Sequence, residues 1–204
     1  MAVAAAVLAA GRGARTGEQV PKPLLELRGR PLVVWSLDAA HASGLRPVLL
    51  VVGRHGKQVA EWAPPATMIV PSRRWRRGIA RSLRVAVQAL EGWVQVTAVC
   101  IGLADQPLVS AEAYRRLAAA HEQGAQLAVA TYDGQRRNPV LLARRLWPEV
   151  RDLDGDVGAR ALFKRHEVVE VDCSDTGDPS DVDTLADLEA LERRVRDHEQ
   201  GDNR

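Results

Sequence analysis

Hydrophobic residues gather in uninterrupted runs at residues 2–10, 47–52, 67–70, 96–103 and 126–131. A strand with one wet face alternates apolar and polar positions, so runs without alternation predict strands covered on both faces. Between the runs the period changes. Over residues 79–92, Ile79, Leu83, Val87 and Leu90 recur near helical spacing, while Arg81, Arg84, Gln88 and Glu91 fall elsewhere around the cylinder. This predicts a helix with one face laid on a sheet. Similar stretches at 31–43 and 111–123, the latter opening near Ser110, sit between other runs. Strand and helix in alternation predict an α/β fold of three layers around a mainly parallel sheet, with ligands bound at the C-terminal ends of its strands. Towards the end, Thr184 followed three residues later by Asp187 resembles a capping box, and Leu185, Leu188, Leu191 and Val195 form the stripe of a last helix. No repeat, low-complexity linker or shift in composition marks a second unit. The expected organisation is one domain over 1–197 and a polar tail over 198–204.

Composition narrows the class of partner. The 204 residues are 46% hydrophobic, enough for a sizeable core, and 28 Lys and Arg against 26 Asp and Glu leave a net charge of only +2. That balance points to a small-molecule partner and away from nucleic acid. No run approaches the ~20 apolar residues of a membrane helix, and the apolar N-terminus lacks the basic start of a leader. Cys100 and Cys173, the two cysteines, have no CxxC spacing, so neither a disulfide framework nor a zinc site is indicated and a cytoplasmic location is expected. Cys100 falls inside a strand and is expected to be a buried, inert thiol. The five histidines share no metal-ligand spacing.

Chemistry concentrates at three places. The first is "VLAAGRGARTGEQVPKPLL", residues 7–25, where a strand gives way to glycines and cations. Gly11, Gly13 and Gly17 follow the strand, but a dinucleotide fingerprint needs its third glycine where Thr16 stands; a Walker loop also fails, because Lys22 lies between Pro21 and Pro23. What remains is irregular backbone whose N–H groups, with Arg12, Arg15 and Lys22, suit an anion such as a triphosphate. A solvated surface loop would have the same composition. The second is "IGLADQPLVS", which puts Asp105 at the end of a strand, where it is either a turn residue or a ligand for a hard cation. The third is "DPSDVDTLAD": Asp181 and Asp183 precede the last helix, and a carboxylate from each segment plus phosphate oxygens and water would make a Mg²⁺ shell. Helix-entry chemistry is the competing account of Asp181, and Asp187 is read as a cap.

Two further segments are open to more than one reading. "SRRWRRGIARSLR" surrounds Trp75 with arginines, which fits a nucleic-acid patch or a ligand site in which Gly78 allows close approach, Ser82 donates from the first helical turn and one or two arginines meet phosphates. "GDVGAR", residues 155–160, is either an anion-binding helix start or a helix entry with Asp156 as N-cap and Gly158 as a packing residue.

Taken together, "LAAGRGARTG", "KPLL", "RGRPLVVWSLDAA", "GIARSLRVAV", "LADQPLV", "RNPVLL", "GDVGAR" and "DVDTLADL" resemble, in order and over nearly the whole chain, the molybdenum cofactor nucleotidyltransferase-like family. Ala10, where the guanylyltransferase branch has glycine, is similar to the cytidylyltransferase branch. The arginine-rich run before Gly78 departs from the family pattern. The resemblance implies a Rossmann-like nucleotidyltransferase fold that moves CMP from CTP to the phosphate of molybdopterin, with a molybdenum hydroxylase as client. It implies Arg15 and Lys22 on the triphosphate and Ala10, Gly11, Arg12 and Gly13 around the nucleotide, with Gly78 and Ser82 at the base. Asp105 with Asp183 and Asp181 would hold Mg²⁺, and Asn138, Gly155, Asp156 and Arg160 would face the acceptor. Alternatives within reach of the same motifs are a GTP-dependent or sugar-phosphate nucleotidyltransferase, a noncatalytic carrier of the molybdenum cofactor, and an oxidoreductase-type relative.

Overall fold

The computed structural model describes residues 2–11 and 20–201, with side chains to residue 196. Arg12, Gly13 and Arg15 therefore lie outside the described residues. In chain order the elements are β1 (Ala2–Ala9), β2 (Glu26–Leu27), β3 (Arg30–Pro31), α1 (Leu32–Ala42), β4 (Val48–Val52), α2 (Gly56–Ala60), β5 (Thr67–Pro71), α3 (Ile79–Ala89), β6 (Val96–Leu103), α4 (Ala111–Glu122), β7 (Leu127–Tyr132), β8 (Gln135–Ala143), α5 (Trp147–Asp152), β9 (Val169–Asp172) and α6 (Leu185–Gly201).

Seven strands form one sheet in the order β5-β4-β1-β6-β8-β7-β9, and β2 pairs antiparallel with β3 beside it. Only β8 runs against its neighbours β6 and β7; the other pairings are parallel. Strand β1 lies inside the sheet, between β4 and β6, and is buried on both sides. Val3, Ala5, Val7 and Ala9 face one core with Val33 and Leu37 of α1 and Tyr114 and Leu117 of α4. Ala4, Ala6 and Leu8 face the opposite core with Leu83 and Val87 of α3 and Trp147 and Val150 of α5. Three layers result because a sheet apolar on both faces needs helices on both.

The last helix starts as its sequence predicts. Thr184 Oγ1 accepts from Asp187 N at 3.1 Å, while the Asp187 carboxylate accepts from Thr184 N at 2.8 Å and Asp183 N at 3.1 Å. Its Leu188 and Leu191 pack with Leu25, Leu27, Leu32 and Val182 in a third apolar cluster. Strand β8 is an addition to the elements read from sequence. It is reached through Asp133 and Gly134, both at positive φ (49° and 72°), the geometry of a two-residue hairpin turn in which Asp-Gly is favoured. Cys100 and Cys173 are buried, and burial raises both thiols above their ordinary range. Among the described residues no helix is long and apolar enough to cross a membrane.

Candidate active site

A cleft of about 540 Å³ opens at the C-terminal ends of β1, β4 and β6. Its floor begins where the small residues of β1 end: Ala10, 3% exposed, is followed by Gly11. Beyond β6, Ala104 N donates to Leu8 O at 3.1 Å, and this bond keeps the chain against β1 as it turns into Asp105.

Lys22 arrives from the other side. It opens a short 3-10 turn, Lys22–Leu24, with Pro21 before it and Pro23 within it, in which Leu24 N donates to Pro21 O at 2.7 Å and Leu25 N to Lys22 O at 3.1 Å. Leu24 packs on the core beneath α1 and Leu25 is buried beside α6. The leucine pair after the lysine thus anchors a backbone with few internal hydrogen bonds and points Lys22 into the cleft.

Asp183 comes from the loop before α6, which is tied to the segment after β6 at three points. Val182 N donates to Asp105 O at 2.9 Å, Gln106 Nε2 to Pro179 O at 3.0 Å, and Asp178 N to Leu108 O at 3.1 Å. The buried Val182 therefore sits against Asp105, and its neighbour Asp183 reaches the same point in space.

There the three side chains meet. Lys22 Nζ donates to Asp105 Oδ2 at 2.6 Å and to Asp183 Oδ1 at 2.7 Å. The lysine side chain is 14% exposed, Asp105 29% and Asp183 50%. Burial alone would lower the Lys22 ammonium, but Asp105 first and then Asp183 outweigh it, and its pKa lies above the ordinary value. Asp181 does not line the cleft. Partial burial first, and then the negative charges of Asp105 and Asp183, raise its carboxyl above the usual range.

The far wall is the entry to α3. Gly78, Ile79 and Ser82 line the cleft, with Ser82 only 3% exposed. Gly78 adopts φ 88° and ψ −177°, a region essentially reserved for glycine. Its closest approach is to the protein itself, because a β carbon there would stand 2.4 Å from Gly155 O. Asp156 also has an unexpected partner. Its Oδ1 accepts from Ile79 N at 3.3 Å, so it caps α3, a helix distant in sequence, and not the helical turn that follows it. Asp156 lines the cleft, while Asn138, Gly155 and Arg160 do not.

Gly53, Arg54 and His55, at the end of β4, line the cleft as well. Sequence reasoning passed over them, although a glycine and a cation directly after the apolar run 47–52 are the kind of signal that singled out residues 10–15. The backbone of Ala10 and Gly11, the cations Lys22 and Arg54 and the carboxylates of Asp105 and Asp183 all line the cleft, a set of groups chemically suited to a polyanion together with a hard cation.

A family model described as a MobA-like NTP transferase domain matches residues 5–171. The chain belongs to this family. The chain is 30% identical to nicotine blue oxidoreductase of Paenarthrobacter nicotinovorans, over 93% of this chain and 96% of that protein. It is also 30% identical to the purine catabolism protein PucB of Bacillus subtilis, over 92% of this chain and 95% of the relative. Among solved structures, Rv0371c of Mycobacterium tuberculosis superposes with a TM-score of 0.81 at 30% identity, covering 95% of this chain and 98% of that one. A manganese complex of Rv0371c superposes with a TM-score of 0.78 at 27% identity, covering 95% and 99% of the two chains. The mostly parallel seven-stranded sheet flanked by helices is thus the Rossmann-like architecture of the nucleotidyltransferases.

Proposed function

We propose that this chain is a cytidylyltransferase that moves CMP from CTP to the phosphate of molybdopterin and releases pyrophosphate. The observation that carries this reading is the meeting of Lys22, Asp105 and Asp183 at one point of a cleft floored by Ala10 and Gly11. An oxygen of the acceptor phosphate attacks the α-phosphorus in line, the bond from that phosphorus to the bridging oxygen of the β-phosphate breaks, and pyrophosphate leaves with the electron pair. A phosphomonoester with a second pKa of about 6 is largely dianionic near neutrality, so the attack needs no strong general base. Positioning and charge then carry the catalysis. Lys22 holds the triphosphate and offsets charge growing on the α-phosphate and on pyrophosphate. Outside the described residues, Arg12, Gly13 and Arg15 belong to the same proposal as triphosphate ligands. Gly78 and Ser82 shape the base side, and Ala10, as in the cytidylyltransferase branch, favours CTP. Asp156, with Gly155, Asn138 and Arg160 further out, is proposed for the acceptor side.

The residues fit a divalent cation. Two carboxylates from segments far apart in sequence already share one cation, the Lys22 ammonium. Among the described residues no cluster of three or more His, Cys, Asp or Glu forms a cage made of protein alone. Such a donor pair suits Mg²⁺, which commonly keeps water and substrate phosphates in its shell. Asp105 and Asp183, with Asp181 nearby, would hold it, and bound there it would neutralise phosphate charge. The manganese complex of Rv0371c supports this reading.

The test is pyrophosphate release with CTP, GTP, ATP or UTP, each with Mg²⁺ and molybdopterin, alongside thermal stability with each nucleotide. CTP is expected to support turnover. At a hundredfold excess over Kd it is expected to add about 2.7 kcal/mol, roughly 5–10 °C for a domain of this size. GTP-selective turnover would move the protein to the guanylyltransferase activity, and turnover only with a sugar phosphate would move it to that acceptor class. Binding of molybdopterin without turnover would make it a carrier. The match to nicotine blue oxidoreductase favours a second reading, an oxidoreductase. Consumption of NAD(P)H by an electron-accepting substrate, with no pyrophosphate formed, would select it.

A further inference from the structure

The arginine run before α3 is not used by the transfer chemistry, and it lines a second groove. This groove, about 640 Å³, lies at the C-terminal ends of β4 and the edge strand β5. Arg54, Arg73, Arg74, Arg76 and Arg77 line it, and no acidic side chain does among the described residues. Elsewhere arginines are matched with acids: Arg116 with Asp175, Arg136 with Glu170, Arg151 with Glu91 and Arg194 with Asp178. Arg54, Arg73, Arg74 and Arg77 have no such partner among the described residues. Like charge is crowded at the neighbouring helix too, where Arg81 is held below its ordinary pKa by burial first and then by Arg84, Arg74 and Arg77. The second observation is Ser72. It lines the groove, is 1% exposed, and its buried hydroxyl has no hydrogen-bond partner. A buried hydroxyl left unsatisfied is costly, and here it stands among cations that lack counter-charges. Both features are resolved by one kind of ligand, an anion that accepts hydrogen bonds.

We propose that this groove is a second anion site that takes a phosphate or pyrophosphate group while the cleft is separately occupied. Gly53, Arg54 and Trp75 line both spaces, so an anion in the groove lies beside a nucleotide in the cleft. The groove has the volume of a small-molecule site. A nucleic acid fits the observations less well. Its binding uses a basic track and aromatic stacking platforms, whereas the net charge of the chain is +2 and the face of Trp75 already carries Arg76, 5.1 Å from the ring centre.

Titration calorimetry with inorganic pyrophosphate tests the proposal. Lys22→Ala protein, whose cleft is weakened for phosphates, is expected to retain a saturable site. Adding Arg73→Ala and Arg77→Ala, both exposed positions, is expected to weaken that site about tenfold or more, and adding Ser72→Ala alone is expected to weaken it by less. Lys22→Ala protein that binds no pyrophosphate, or arginine variants that bind it equally well, would overturn the proposal. So would affinity for single-stranded oligonucleotides that rises with length while pyrophosphate fails to bind. The source of the anion is read with Lys22 intact, in the transfer assay with CTP and molybdopterin. If Arg73→Ala/Arg77→Ala raises KM for the acceptor at unchanged kcat, the site takes an anionic end of the acceptor. If the kinetics hold while pyrophosphate binding is lost, the site takes a free phosphate anion. Only this last measurement rests on the nucleotidyl-transfer reading, so the titration stands if that reading fails.

Discussion

Replacing Gly78 with alanine is expected to destabilise the protein by about 3–5 kcal/mol, for reasons that can be added up from its surroundings. At φ 88° and ψ −177° the backbone is in a region that costs a residue with a side chain about 1–3 kcal/mol. The new β carbon would also lie 2.4 Å from Gly155 O and 2.8 Å from Asp156 N. These are backbone atoms, so no side chain can rotate away and the 155–156 segment must move. That displacement threatens two bonds to the start of α3: Ala80 N to Gly155 O, and Ile79 N to Asp156 Oδ1, each 3.3 Å. A net hydrogen bond is worth about 0.5–1.5 kcal/mol and a lost helix cap about 1 kcal/mol. The sum is a large fraction of the 5–15 kcal/mol typical of a folded domain. Equilibrium urea unfolding followed by circular dichroism measures it, with an unchanged denaturant slope expected. Gly92→Ala is the control, since a β carbon there meets nothing within 4 Å; it is expected to change stability by less than about 0.5 kcal/mol. Gly78, Ser82 and Asp156 share the cleft wall, so the variant is also expected to lose most of its nucleotide-induced thermal shift. A loss of stability below about 1 kcal/mol, with the thermal shift intact, would refute the account of this wall.

Lys22→Met leaves Asp105 and Asp183 without the ammonium they share; Mn²⁺ is expected to bind more tightly in the absence of nucleotide while kcat falls by about 10²–10³. Calorimetry with Mn²⁺ and single-turnover kinetics check this, and unchanged values in both would refute the role given to Lys22. Asp181→Asn is expected to stabilise the protein at neutral pH, because the folded state disfavours the charged carboxyl, by burial first and then by Asp105 and Asp183. The penalty in the wild type is full above the folded pKa, shrinks as the pH falls through it, and vanishes below the ordinary value of 3.8. Thermal unfolding of both proteins across that range should show the difference closing with acid, and a difference independent of pH would count against the unfavourable surroundings given to the Asp181 carboxylate.

The chain pattern alone determined most of the parallel part of the sheet, all but the edge strand β9. Strands β1, β4, β5, β6 and β7 fall on the five apolar runs, and α1, α3 and α4 fall within the helical stretches. Burial on both faces explains the runs of the inner strands, but not that of β5, which is an edge strand with Ile69 39% exposed, contrary to the expectation that it is covered on both faces. The start of α6 was equally legible, since the Thr184 and Asp187 exchange is local. Strand β8 was not. Its first residues, Gln135 to Arg137, are exposed, Pro139 lacks a donor, and its place between β6 and β7 depends on partners that a linear pattern does not name. The Asp133-Gly134 turn was the available clue.

At the site, residue types were legible and geometry was not. Asp105 and Asp183 each stand next to a predicted element and Lys22 in the segment between two of them, yet Lys22 lies 83 and 161 residues from its two hydrogen-bond partners. Only the stacking of β1 beside β6, and the backbone bond from Val182 N to Asp105 O, bring them to one point. The same holds for Asp156, whose partner at Ile79 is 77 residues away. Hydrophobic period and capping act over a few residues and are written in the sequence at that range. Convergence of charge in a cleft is a property of how the finished layers close.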